Sequence, residues 1–206
     1  MIEITKIECQ KNKNNFNLFV DGQFYSGLLK ETAIANNFFV GKKIQQSQLD
    51  DILLQSEAKQ AFNKASDYLS TRLHTKHELK IKLCKRQYSK QAIELALQKL
   101  EEYGYINDAS FADLFVEANS SLSKQMIINK LLEKGIDKDI IDAALCNVSL
   151  EQELQSAVKQ VEKYLKNKKY EDCKDKLYAF LVRKGFKYDI INRAIKFVTK
   201  NDINWE

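Results

Sequence analysis

The sequence predicts a mainly α-helical protein: three tandem three-helix, helix-turn-helix-like repeats in an elongated array, preceded by a small N-terminal domain of three strands and short helices. Three observations carry this. The 206 residues include no proline and 6 glycines, so forced turns are few, which favours long helices over many-stranded sandwiches. From residue 57 onward apolar residues recur at helical spacing, as in Leu79 and Leu83, Leu177 and Leu181, and the stripe Ile93, Ala96, Leu97, Leu100. A fifteen-residue pattern then occurs three times.

The first 56 residues differ from the rest. Residues 2–8 and 16–20 alternate or run apolar, separated by the polar stretch KNKNN. Asp21-Gly22 divides Leu18-Phe19-Val20 from Phe24-Tyr25, a hairpin signal, because both residue types tolerate the positive φ of a tight turn. This reads as a three-stranded antiparallel sheet. A short helix over 30–37 follows, then Gly41-Lys42-Lys43-Ile44 and a second helix over 47–54.

The repeat windows are LCKRQYSKQAIELAL from Leu83, LLEKGIDKDIIDAAL from Leu131 and LVRKGFKYDIINRAI from Leu181, offset by 48 and 50 residues. All share a Leu at the first position, then Ile93/Ile141/Ile191 and Ala96/Ala144/Ala194, and the apolar face continues to Leu100, Val148 and Val198. Gly135 and Gly185 stand where a helix ends in the left-handed conformation. That ending brings Leu131 onto Ile136 and Leu181 onto Phe186. Ser89 and Asp137 are placed to cap the next helix. Gln87 replaces glycine in the first window, which predicts a strained or differently shaped turn, and Lys187 replaces the cap in the third. Upstream helices read over 58–72, 110–120 and 150–166, with capping boxes at Thr75-x-x-Glu78 and Ser149-x-x-Gln152. The resulting domains are 1–56, then repeats at 57–106, 107–148 and 149–206.

Charged residues make up 30% of the chain and no apolar run reaches ~18 residues, which excludes a membrane-spanning bundle. The N-terminus lacks a basic segment followed by an apolar one, and Cys9, Cys84, Cys146 and Cys173 form no CxxC pair. Both point to a reduced, cytoplasmic protein without disulfides or a zinc site. No catalytic residues are expected. Gly22-x-x-x-x-Gly27 has the glycine spacing of a phosphate loop, but Leu28 and Leu29 stand where Lys and Ser/Thr are required. His74 and His77 read as exposed polar residues, and Asp50-Asp51 and Glu101-Glu102 as solvated helix ends. No cofactor, metal or small-molecule substrate is expected.

The formal charge is +5, unevenly spread: net zero over 1–56, +4 over 57–106, −3 over 107–150 and +4 over 151–206. Two basic clusters are the candidate contact sites for a partner or for DNA. One is Arg72, Lys76, Lys80, Lys82, Lys85 and Arg86; Lys76 and Lys80 lie one turn apart on one face. The other is Arg183, Lys184, Lys187, Arg193, Lys196 and Lys200, the last three spaced three and four apart. The run KYLKNKK at 163–169 is a further basic stretch, read as solvated. With 29 Lys against 4 Arg, contact with phosphate would be tolerant of sequence, since bidentate base reading is the work of Arg.

The stretch Ala65-x-x-Tyr68-Leu69-x-x-Arg72-x-x-Thr75-x-x-Glu78-Leu79-x-x-Lys82-Leu83, followed by Gly104-x-Ile106-Asn107-Asp108-x-x-Phe111-Ala112, resembles the RecX family of bacterial recombination regulators. The turns Lys134-Gly135-Ile136 and Lys184-Gly185-Phe186 resemble it too, and the Asp21-Gly22 hairpin resembles an extra domain that some members carry. Gln87 and Asn107 depart from the pattern, which has glycine and more usually an acid there. The resemblance implies a non-enzymatic protein that binds the RecA recombinase and its filament on single-stranded DNA. It also implies restraint of RecA's ATPase, strand-exchange and coprotease activities in recombination, DNA repair and the SOS response. The residues alone leave two other readings open: a DNA-binding helical-repeat protein or transcription regulator acting without RecA, and a protein-only scaffold.

Overall fold

The computed structural model describes residues 1–11, 14–166 and 168–202, so parts of the KNKNN and KYLKNKK stretches lie outside the described residues. The chain forms two compact units, Met1–Ile106 and Asn107–Glu206. The first unit runs β1 (Ile2–Cys9), β2 (Asn15–Val20), β3 (Gln23–Leu29), α1 (Lys30–Ala35), β4 (Lys43–Ile44), α2 (Gln46–Leu69), α3 (Lys76–Lys85) and α4 (Lys90–Glu102). The second runs α5 (Asp108–Ala118), α6 (Lys124–Glu133), α7 (Lys138–Leu145), α8 (Leu150–Leu165), α9 (Lys174–Arg183) and α10 (Tyr188–Asp202).

The three expected strands are joined by a fourth. The antiparallel sheet has the order β3-β2-β1-β4, with Ile2 opposite Ile44 and Glu3 opposite Lys43. Asp21 and Gly22 have φ of 48° and 81° and form the two-residue loop between Val20 and Gln23, as the twist of a hairpin requires. Ile4, Leu18, Val20 and Leu28 turn to one face and pack on Ala33, Ile44 and Leu49.

The helices read separately at 47–54 and 58–72 are one continuous helix, α2, of 24 residues, about 36 Å long. The polar triplet Gln55-Ser56-Glu57 between them resembles a break, but Ser56 is buried and satisfied by the sheet domain. Its Oγ accepts from the Leu29 amide at 3.0 Å and from the Thr32 hydroxyl at 3.2 Å. Leu49 belongs to the sheet core while Ala61 and Ala65 belong to the core of the first repeat. A border at residue 56 therefore falls within a helix, not in a linker.

Each repeat buries its own small core. The repeated positions Leu79/Ile127/Leu177, Leu83/Leu131/Leu181 and Ile93/Ile141/Ile191 are all buried. Small residues on the first helices, Ala61, Ala65, Ala112 and Ala157, are buried in the same cores and let the third helices approach closely. At roughly 1.5–3 kcal/mol for each fully buried large side chain, these clusters supply most of the stabilisation of short helices that would not hold alone in water. Thr75, Ser89 and Ser149 cap α3, α4 and α8, and Ser149 with Gln152 closes a complete capping box. Asn107 and Ser123, not singled out as caps in the sequence, cap α5 and α6. Asp137 occupies the cap position of α7, but its side chain makes no capping bond, contrary to expectation.

The turns between second and third helices all place a residue in the left-handed region. Gly135 and Gly185 have φ of 74° and 82°, and Gln87, with φ of 65°, occupies the left-handed region itself. The Gln87 amide donates to Cys84 O at 2.9 Å, but the bond from the next amide back to Leu83 O that the other two turns make is not formed, so the first turn is strained and looser. Gly135 N–H donates to Leu132 O and Ile136 N–H to Leu131 O; Gly185 and Phe186 repeat this with Val182 and Leu181. Gly185 carries a second constraint. Ser123 Oγ donates to Lys184 O at 2.8 Å, joining the second repeat to the third, and a Cβ on residue 185 would lie 2.5 Å from that hydroxyl oxygen. Gly185→Ala should therefore cost about 2–4 kcal/mol in urea unfolding, backbone strain plus overpacking. Gln87→Gly should be neutral or raise stability by up to about 1 kcal/mol, as the relief of strain offsets the added chain entropy.

Candidate partner and nucleic-acid interface

The two basic clusters prove different in kind. In the first repeat the cations are engaged within the repeat. Arg72 reaches Glu78 at 3.2 Å, Lys76 reaches Glu101 on α4 at 2.8 Å, and Lys80 pairs with Glu94, also on α4. Lys80 holds the Glu94 carboxyl below the usual carboxylate range. Lys82 sits over the Tyr68 ring, 4.4 Å from its centroid, and Arg86 Nε donates to Tyr68 Oη at 3.4 Å. The face shared by Lys76 and Lys80 is turned to the acids of α4. Lys85 is exposed at the end of α3.

Beneath this network lies His74, which is buried, not exposed as expected. Its side chain has no solvent exposure. Nδ1 lies 2.9 Å from Glu78 Oε2, and Nε2 lies 3.2 Å from Lys82 Nζ. The neutral ring satisfies both contacts, with Nδ1–H donating to the carboxylate and Nε2 accepting from the ammonium. Burial first, then the charges of Arg72 and Lys82, push its pKa below the ordinary histidine value; the Glu78 hydrogen bond opposes this and is outweighed. His77 is exposed. Among the described residues no group of His, Cys, Asp or Glu is placed to hold a metal, and no helix is long and apolar enough to cross a membrane. Tyr25 Oη donates to Asp50 at 2.6 Å, so that carboxylate belongs to the contact between sheet and α2.

In the third repeat the cations are freer. Arg183 Nε donates to the carbonyl of Ala179, and Lys184 lies 5.6 Å from the Phe180 ring centroid. Lys187, Arg193, Lys196 and Lys200 are exposed and have no acidic partner among the described residues. Arg193, Lys196 and Lys200 follow one another along α10, one turn apart. Beside them, α9 and α10 enclose a cleft of about 620 Å³ lined by Tyr170, Lys174, Tyr178, Tyr188, Asn192 and Lys196 among others. Tyr178 and Tyr188 have ring centroids 5.5 Å apart. The charge pattern does not single out these tyrosines; their signal lies in the repeat register, where only the third copy has aromatics at these two positions.

Four family models match in chain order. The RecX regulatory protein N-terminal domain covers 2–45, and the first, second and third RecX three-helix domains cover 61–100, 107–145 and 151–195. The chain belongs to the RecX family. The regulatory protein RecX of Bacillus subtilis is 33% identical over 199 residues, covering 93% of this chain and 75% of that protein. That of Clostridium beijerinckii is 30% identical over 211 residues, covering 99% of both. A crystal structure of regulatory protein RecX superposes with a TM-score of 0.67 over 95% of this chain and all of that one; at 24% identity it speaks for the fold. RecX from Lactobacillus salivarius gives 0.61 at 28% identity, over 69% of this chain and 97% of that one. These relatives are named regulatory proteins, and the family's three helical-domain models fall on the three repeats of this chain.

The His74 geometry gives a pH dependence of known sign. Its pKa is lower folded than unfolded, so the unfolded chain binds the proton first and stability falls as pH drops through about 6.5. Thermal melts between about pH 7.5 and pH 5 should show this loss, and His74→Gln should reduce its slope.

Proposed function

We propose that this protein binds the RecA recombinase and its filament on single-stranded DNA in the cytoplasm. There it restrains ATPase, strand-exchange and coprotease activity, with no catalysis of its own, and so moderates recombination, DNA repair and the SOS response. The observation that carries this reading is the ordered run of all four RecX domains along one chain. The cations of α10 support it: a row without acidic partners among the described residues suits phosphate or an acidic protein face.

The test is RecA ATPase on single-stranded DNA with and without the protein. Inhibition is expected at concentrations comparable to RecA; unaltered ATPase, strand exchange and coprotease activity would remove the reading. Changing Arg193, Lys196 and Lys200 together to Glu should weaken inhibition at least about tenfold with the fold intact, since none of them holds an acidic partner among the described residues. Changing Lys76, Lys80 and Arg86 together to Glu should also lower stability, because the carboxylates introduced on α3 would face Glu101 and Glu94. Inhibition should fall steeply with salt if phosphates are contacted. Loss of inhibition with unchanged affinity for bare DNA would place the contact on RecA itself. DNA binding without any effect on RecA would instead favour a helical-repeat DNA-binding protein.

A further inference from the structure

The three repeats share a fold, so equivalent positions on their surfaces can be compared, and Tyr178 in the third packs its ring against that repeat's core. In the third repeat Tyr178 and Tyr188 stand where the second has Ile128 and Lys138 and the first has Lys80 and Lys90. Asn192 stands where the others have Asp142 and Glu94, and Lys196 where they have Cys146 and Gln98. At these four positions the third copy has two aromatic rings where the others carry Ile or Lys, no acid where both others have one, and its cation at Lys196 rather than at the start of the third helix. Tyr188 is 70% exposed at the start of α10, a large ring surface left in contact with water. Tyr178 lines the same cleft, and its hydroxyl is buried with no hydrogen-bond partner among the described residues. A buried polar atom left unsatisfied is uncommon and points to a missing partner. Lys174 and Lys196 flank the rings, with Lys200 one turn further along α10; Asp175 is the acid in the lining.

We propose that this cleft is a subsite for single-stranded nucleic acid: a base stacks on Tyr188, the Tyr178 hydroxyl meets a polar edge of that nucleotide, and Lys174 and Lys196 hold flanking phosphates. The combination is the one that single-strand binders use, an aromatic platform beside a basic track, and it reads no sequence because every base has a π-face. Asp175 turns the phosphates toward the Lys196 side. This deepens the proposed regulatory reading by giving the third repeat a direct grip on the strand, yet it stands or falls without the recombinase.

The test uses the full chain and two fluorescein-labelled oligonucleotides of equal length, an oligothymidylate and an abasic strand with the same phosphates, read by fluorescence anisotropy. The wild-type protein should prefer the oligothymidylate by about tenfold. Tyr188→Ala should abolish that preference, and Tyr178→Phe, which keeps the ring, should reduce it. Lys196→Gln should weaken both strands alike. Circular dichroism melts should leave Tyr188→Ala and Tyr178→Phe folded, since one ring is exposed and the other is retained. Equal affinity for the two strands, or a preference that survives Tyr188→Ala, overturns the subsite. RecA ATPase measured in parallel separates the two claims: inhibition without a base preference sinks the subsite alone, and a base preference without inhibition sinks the regulatory reading alone.

Discussion

The helical part of this protein depends on one backbone constraint, the left-handed residue that ends the second helix of each repeat. It reverses the chain within a few residues and returns the next amide to the last turn, so that Leu131 and Leu181 meet Ile136 and Phe186 in their cores. Without that reversal the third helix could not lay its apolar stripe against the first, and helices of 8 to 10 residues such as α6, α7 and α9 have little stability of their own. The first repeat places Gln87 in the same left-handed region, without the bond back to Leu83, so the fold tolerates a local strain of about 1–2 kcal/mol where the surrounding core is large enough to impose it. At Gly185 the same turn is also a joint. The absence of a Cβ lets Ser123 close onto Lys184, so one residue serves both the turn and the docking of the second repeat on the third.

On this common frame the surfaces have diverged. In the first repeat α3 presents Lys76 and Lys80 to Glu101 and Glu94 of α4, a cross-helix pairing that balances the charge on that face. Individually such exposed pairs are worth no more than about 1 kcal/mol, but they determine which charges an approaching partner sees. In the third repeat the acid has been replaced by Asn192 and the cations of α10 stand without acidic partners among the described residues. Equal formal charges of +4 on the two repeats therefore describe different electrostatic surfaces.

The N-terminal sheet is tied to the first repeat by sharing a helix with it. One end of α2 completes the sheet core and the other begins the first three-helix core. The Ser56 hydroxyl, bonded to Leu29 and Thr32, fixes the sheet against the middle of that helix. A shared helix transmits position between two small cores far better than a flexible linker, whose ends lose their mutual orientation within a few residues.

What the sequence determined by itself was local: helical period, the repeat of 48 and 50 residues, the Asp21-Gly22 hairpin, the glycine turns and most caps, including the Ser149–Gln152 box. Each of these is decided by residues within a turn or two of one another, where propensity and φ preference act directly. What only the tertiary structure decided involves partners far apart in the chain. Lys76 is neutralised by Glu101 and Ser123 reaches Lys184, 25 and 61 residues away. Ser56 is satisfied by the sheet, so α2 runs on through a polar triplet that resembles a break. His74, read as exposed, is buried against Glu78 and Lys82, four and eight residues on, because a long polar side chain covers as well as it solvates. A charge pattern counts cations but not the carboxylates that will face them, and that pairing exists only once the helices have packed.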